Sequence, residues 1–102
     1  MNKKESQFQK EIKDEIRTLL PGSYVFKMEG GAGTGNPQGI PDLIVLQNNK
    51  WATLECKRDS KAARQPNQEY YIEDMNSKAY STLIFPENKK EVYDELRKYF
   101  TS

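Results

Sequence analysis

The chain contains no histidine, one cysteine and one tryptophan among 102 residues. Without histidine there is no imidazole general base and no ordinary histidine-bearing zinc site. A single cysteine, Cys56, excludes an internal disulfide framework and fits a reducing compartment. Long apolar runs are missing too. None approaches the roughly 20 residues a membrane-spanning helix needs, and no signal-peptide pattern opens the sequence. No membrane partner is therefore expected, and the cytoplasm is the expected location. Neither sign of charge dominates: 16 Lys and Arg stand against 15 Asp and Glu, for a net charge of +1. The basic surplus falls in the first two-thirds of the chain, a weak hint of a polyanionic partner. What is present suits one folded domain, 1–102. Hydrophobic residues make up 35% and aromatics 11%, too many for a disordered chain.

Periodicity divides the chain into alternating elements. Residues 4–20 carry Phe8, Ile12, Ile16 and Leu19 at helical spacing, and Pro21-Gly22 stops the helix. Tyr24-Val25-Phe26 reads as a short strand. Met28 to Gly39 holds five of the six glycines plus Pro37 and is expected to be a loop. Residues 41–46 and 51–57 read as two strands joined at Asn48-Asn49, a pair suited to a type I′ turn. A helix is expected over Lys61–Lys78, with Pro66 at or near its first turn and Tyr71, Ile72 and Met75 as its apolar face. Ser81 to Phe85 is a fourth strand ended by Pro86. A last helix, about Lys89–Phe100, packs Val92, Leu96 and Phe100. The order is α-β-β-β-α-β-α, without internal repeats.

The hairpin carries the chemistry. With a two-residue turn at Asn48-Asn49, Gln47 faces Lys50 and Leu46 faces Trp51. The same register sets Asp42 opposite Glu55, with Cβ atoms about 4.5–5.5 Å apart on one face. Lys57 emerges on that face two residues beyond Glu55, whereas Cys56 turns to the other face with Leu43, Val45 and Leu54. Directly opposed like charges destabilise a sheet, and a divalent cation relieves them. Such an ion would polarise a phosphoryl group and supply hydroxide, with Lys57 orienting or deprotonating water and stabilising phosphate charge. That is a phosphodiester hydrolysis site. The alternative is a strand-capping Asp42 beside a solvated Glu55 and Lys57, since Pro-Asp followed by Glu-x-Lys is a short pattern.

The residues Pro41-Asp42 and Glu55-Cys56-Lys57 in this element order resemble the PD-(D/E)XK nuclease superfamily. Within it the chain is most similar to the small stand-alone VRR-NUC proteins of phages, through Gly39-Ile40-Pro41-Asp42-Leu43, the hairpin, Glu55-Cys56-Lys57 and Gln68. The resemblance spans about residues 5–100. It implies an α/β fold with a restriction-endonuclease-like αβββαβ core, a central mixed sheet flanked by helices, and an extra C-terminal helix. It further implies a magnesium- or manganese-dependent endonuclease acting on duplex or branched DNA, of Holliday-junction type, working as a homodimer in the bacterial host cytoplasm. Asp42, Glu55 and the backbone carbonyl of Cys56 would be metal ligands. Lys57 would be the catalytic lysine, and Gln68 an auxiliary polar residue of the catalytic set. A glutamate of the first helix often joins such a site. Glu5 is the choice here, ahead of Gln9 and Glu15, with a solvated helix start as its alternative. A catalytically silent DNA- or protein-binding module is the rival reading, which an intact Asp42, Glu55 and Lys57 set opposes.

Other features have two readings each. Gln68 sits either at the edge of its helix's packed stripe near the strands or in solvent. GGAGTGNPQG fits no nucleotide-binding glycine pattern, so Gly33 and Gly35 belong either to a flexible flap over DNA or to a connector. Lys27, Arg58, Lys61 and Arg64 could contact phosphates or merely be surface charge, and Lys50 shares that ambiguity. Trp51 and Tyr70-Tyr71 are expected to pack in the core, and Cys56 to be a buried, unreactive thiol.

Overall fold

A computed structural model describes residues 4–102. The expected order appears in full: α1 (Glu5–Leu19), β1 (Tyr24–Lys27), β2 (Leu43–Gln47), β3 (Lys50–Cys56), α2 (Pro66–Lys78), β4 (Tyr80–Ile84) and α3 (Lys89–Thr101). The strands form one sheet in the order β1-β2-β3-β4. The first three are antiparallel, and β4 pairs parallel to β3 after the crossover through α2. The sheet is therefore mixed.

Helices α1 and α3 cover one face. In α1 the four-residue spacing of Phe8, Ile12, Ile16 and Leu20 makes one buried stripe. Val92, Leu96 and Phe100 make the equivalent stripe on α3. Both pack on Val25, Leu43, Val45, Ala52, Leu54 and Cys56, the alternating residues of three strands, to make the core. Leu20 replaces the expected Leu19 at the end of the α1 stripe, and Leu19 is only partly buried. After Leu20 the chain turns through Gly22 at φ +88°, and Ser23 N–H closes the turn onto the Leu20 carbonyl at 3.0 Å. Helix α2 takes the other face, over β3 and β4. Its contacts there include Thr53 Oγ1 against Met75 Sδ at 3.4 Å and Ser81 N–H on Asn76 Oδ1 at 3.1 Å.

Several boundaries differ from expectation. Helix α2 begins at Pro66, not Lys61, because proline supplies the fixed φ of a first helical residue while pushing the residue before it out of helical conformation. Residues 58–65 are a loop instead. Strand β4 starts at Tyr80 and ends at Ile84. At the hairpin only Asn48 takes a positive φ, 58°, so the turn is not type I′, in which both central residues would. The two-residue loop and its register hold nonetheless: Gln47 pairs with Lys50, Leu46 with Trp51 and Leu43 with Leu54. Tyr70 is exposed rather than packed, whereas Tyr71 and Trp51 are half-buried.

Lys50 belongs to the hairpin tip, where its ammonium donates to the carbonyls of Tyr99 and Ser102, both at 2.8 Å. A cation there meets the negative end of α3 and satisfies carbonyls the helix leaves open. Lys50→Met should lower stability by about 1–2 kcal/mol, read as a shift of the urea midpoint. An unchanged midpoint would mean solvent serves those carbonyls equally well.

Candidate metal centre and its surroundings

The strand ends Lys27, Leu43 and Cys56, the first turns of α1, α2 and α3, and loops 28–42 and 57–65 all meet at one end of the sheet. Asp42 stands just before β2 and is held from two sides. Its carbonyl accepts from Met28 N–H at 2.6 Å, and its Oδ2 accepts from Cys56 N–H at 2.9 Å. Main-chain bonds thus fix the residue on the β1 side and its carboxylate on the β3 side. The Cys56 main chain reaches the site through its N–H, while its thiol is buried on the core face. Burial, then the charges of Asp42, Glu55 and Glu5, push that thiol far above its usual pKa, so it is no nucleophile.

Glu55 is the unusual residue. It is 2% exposed, as buried as the core leucines, and carries an ionisable group. Its Oε2 accepts from Gln68 Nε2 at 2.8 Å and lies 3.5 Å from Lys57 Nζ. Its Oε1 is buried with no hydrogen-bond partner. Lys57, 8% exposed, donates to Gln68 Oε1 at 2.9 Å. Gln68 therefore joins the carboxylate to the ammonium, and the same Oε1 accepts from Gln65 N–H at the start of α2 at 3.3 Å. Of its two expected positions, the one at the strands is the observed one.

Electrostatics agree with the geometry. Burial first, then the charge of Asp42, raise the Glu55 carboxyl from its ordinary 4.5 to about 7, against the opposing pull of Lys57. Asp42 is also raised, chiefly by burial, with the Cys56 hydrogen bond working the other way. Glu5, on the first turn of α1, adds its negative charge to both carboxylates. It is the nearer choice on that helix, since Glu15 instead accepts from the Tyr93 hydroxyl at 2.7 Å on the α3 side. Among the described residues, though, no three Cys, Asp or Glu side chains converge tightly enough to hold an ion by themselves. Two protein carboxylates are what the site offers directly.

Glycine decides how α2 reaches the strands. Gly39, at φ +96°, passes so close to the helix that a Cβ there would fall 2.6 Å from Asn67 Cβ and 3.3 Å from Gln68 N. A groove of about 230 Å³ runs between Gln38-Gly39 and Gln65–Gln68. The glycine-rich loop itself is no open flap. Asn36 Nδ2 donates to the Glu29 carbonyl at 2.9 Å, Gly31 N–H to the Asn36 carbonyl at 3.0 Å, and Thr34 Oγ1 to the Gly31 carbonyl at 2.7 Å. Asn36 was not singled out from the sequence, although an Asn-Pro pair after a Gly-x-Gly run is a turn signal. Gly33 and Gly35 lie exposed on this loop at φ +81° and +79°, with open space where a side chain would be.

The basic candidates all lie at this end and all are exposed: Lys27 closes β1, Arg58 follows Lys57, and Lys61 and Arg64 ride the loop before α2. Arg58 pairs with Asp59 at 3.8 Å. Ser60 ties that loop to the β4–α3 connection through two hydrogen bonds to Glu87 Oε2, at 3.2 and 3.0 Å.

No family model matches the chain, and no curated protein matches it significantly. A solved structure described as a VRR_NUC domain does. It superposes with a TM-score of 0.65 at 24% sequence identity, over 94% of this chain and 96% of that one. The chain thus has the fold of that VRR_NUC domain over nearly its whole length.

Two outcomes follow for the metal-free protein. The folded state keeps the Glu55 proton to about pH 7, whereas the unfolded chain releases it near 4.5. Stability should therefore fall as pH rises through that window and level off above it. Glu55→Gln removes the cost. In chelator, the variant should match wild type near pH 4.5 and exceed it by about 1–3 kcal/mol at pH 8, measured by chemical denaturation. Gly39→Ala should lower stability by about 1–3 kcal/mol, read in the same experiment.

Proposed function

We propose that the protein is a divalent-metal-dependent endonuclease that hydrolyses DNA phosphodiester bonds, with magnesium or manganese as cofactor. The observation that carries this reading is Glu55 Oε1, a buried carboxylate oxygen without a partner, with the Asp42 carboxylate held nearby on the N–H of Cys56, the next residue. Burying such a group costs several kcal/mol unless something neutralises it. A hard cation is the ligand that an all-oxygen pair of this kind accepts. Asp42 and Glu55 would hold the ion, with the Cys56 carbonyl, water and phosphate oxygens completing its shell and Glu5 adding negative charge. When bound, it would polarise a phosphoryl oxygen and lower the pKa of nearby water. The described nuclease-like fold supports the same reading, because the protein aligned with this chain is described as a VRR_NUC domain.

The chain's own groups supply the rest. Lys57, set by Gln68 and by the Glu55 carboxylate, presents a fixed positive charge to the reacting phosphate and orients the attacking water. Gln68 holds Lys57 and Glu55 in mutual register and ties both to the start of α2. Lys27, Arg58, Lys61 and Arg64 ring this end with cations suited to the flanking phosphates, and the Gly33–Gly35 stretch lets backbone approach a strand closely. A domain this small covers little DNA, so a homodimer placing two such sites on branched DNA is the assembly we favour.

The test is incubation with manganese and a panel of single-stranded, duplex, flap and four-way DNA. Cleavage should require the metal and stop in chelator. Asp42→Asn and Lys57→Ala should each slow it by about a hundredfold or more. Cleavage continuing at the wild-type rate in Lys57→Ala would overturn the assigned mechanism.

A further inference from the structure

The sheet face that bears Asp42 and Glu55 is only half covered. Helix α2 lies over β3 and β4, and among the described residues no helix covers the same face of β1 and β2. On that open face Tyr24 stands opposite Leu46, and Phe26 stands opposite Ile44. Trp51 continues the row beyond Leu46. Tyr24 is 65% exposed and Phe26 49%. Their rings lie 5.9 Å apart and within 20° of parallel. Two neighbouring aromatics held in water on one face of a four-residue strand contribute little to the core, which β1 serves through Val25 alone.

Their place in the sheet gives them a use. Alternation puts Asp42, Ile44 and Leu46 on one face, so Phe26 sits one strand across and two residues along from Asp42, about 7 Å in the strand direction. Tyr24 lies the same distance further on. The β1 and β2 side chains that alternation puts on this strip, Tyr24, Phe26, Ile44 and Leu46, are all uncharged. At the site end exposed Lys27 alternates to the opposite face, paired with Leu43, and its charge is felt at Asp42 as the smallest of several influences. On the edge of β1, Arg17 Nη2 already donates to the Val25 carbonyl at 2.9 Å, which takes that acceptor away from an added strand. An uncharged aromatic strip that leads away from the carboxylates of a proposed phosphodiester site has the chemistry of a surface for nucleic-acid bases, whose π-faces stack on aromatic rings without regard to sequence.

We propose that Tyr24 and Phe26 form a base-stacking platform for unpaired nucleotides beside the cut, so that the substrate carries a single-stranded segment there. This rests on the nuclease reading above and narrows its substrate class. The test compares a short labelled single strand with a strand of the same length and charge that carries abasic residues. Binding is followed by fluorescence anisotropy without divalent metal, so that nothing is cut. Wild type should prefer the intact strand. Tyr24→Ala with Phe26→Ala should weaken its binding at least about tenfold, the loss expected for removing stacking worth ~1–3 kcal/mol per base, and leave the abasic strand unaffected. If the alanine pair does not fold, Tyr24→Leu with Phe26→Leu keeps the strand's apolar surface, and it should lose the same preference. Equal binding of the two strands by wild type, or an unchanged preference in a folded double variant, overturns the platform. So does a double variant that turns a sedimenting dimer into a monomer with base preference intact, which would assign the strip to a second copy. Wild type that prefers intact bases but cuts no DNA would overturn the nuclease reading alone. Wild type that cuts DNA without base preference would overturn the platform alone.

Discussion

A buried carboxylate, Glu55, with the half-buried Asp42 carboxylate beside it is the constraint from which the rest of this molecule can be understood. The hairpin leaves no alternative. A two-residue turn with Asn48 at positive φ fixes Gln47 against Lys50, and that register carries through to Leu43 against Leu54. Asp42 precedes Leu43 and Glu55 follows Leu54, the Cys56 N–H holds the Asp42 carboxylate at 2.9 Å, and one buried oxygen of Glu55 finds no partner. Slipping β2 by one residue against β3 would turn Asp42 to the core face and expose Leu43 and Val45, which cost far more to leave in water. The core therefore holds the acids in place even though they repel one another. The Cys56 N–H, the Gln68 amide and the Lys57 ammonium soften the repulsion without removing it.

The surrounding architecture serves that pair. Parallel pairing of β4 with β3 requires a crossover, and the crossover helix starts where β3 ends, which brings Gln68 to Glu55 and Lys57. Gly39 permits the close approach, since any side chain there would hold the helix away. Because α2 covers only half the sheet, the acids sit at the border between a covered half and an open one. The open half is where Tyr24 and Phe26 stand exposed. The opposite face shows no such division, with α1 and α3 burying a continuous cluster from Phe8 to Phe100. The apolar core and the candidate site thus lie on different faces of one sheet.

Much of this could be read from the sequence, for physical reasons. The α1 and α3 stripes repeat at helical spacing because both helices pack on one apolar face, and the hairpin pairing follows from strand geometry once the turn is located. Features that depend on what covers a surface could not be read that way. Helix α2 buries no residue fully, so its pattern carried little information, and five extra residues before Pro66 were assigned to it. Tyr24-Val25-Phe26 identifies a strand but not which of its faces lacks a cover. Lys50 resembled a phosphate contact because its partners, Tyr99 and Ser102, lie about fifty residues away in the chain. The glycine-rich loop suggested mobility, yet Asn36 and Thr34 tie it to itself through bonds that composition does not disclose.

The central claim is that the opposed carboxylates are the two halves of a cation site, and calorimetric titration with manganese measures it directly. Wild type should bind the ion with a clear heat and a melting temperature that rises with metal concentration. Asp42→Asn combined with Glu55→Gln should abolish both while the protein stays folded. A wild type that gives no heat and no rise in melting temperature, or a double variant that binds manganese as wild type does, would contradict the account.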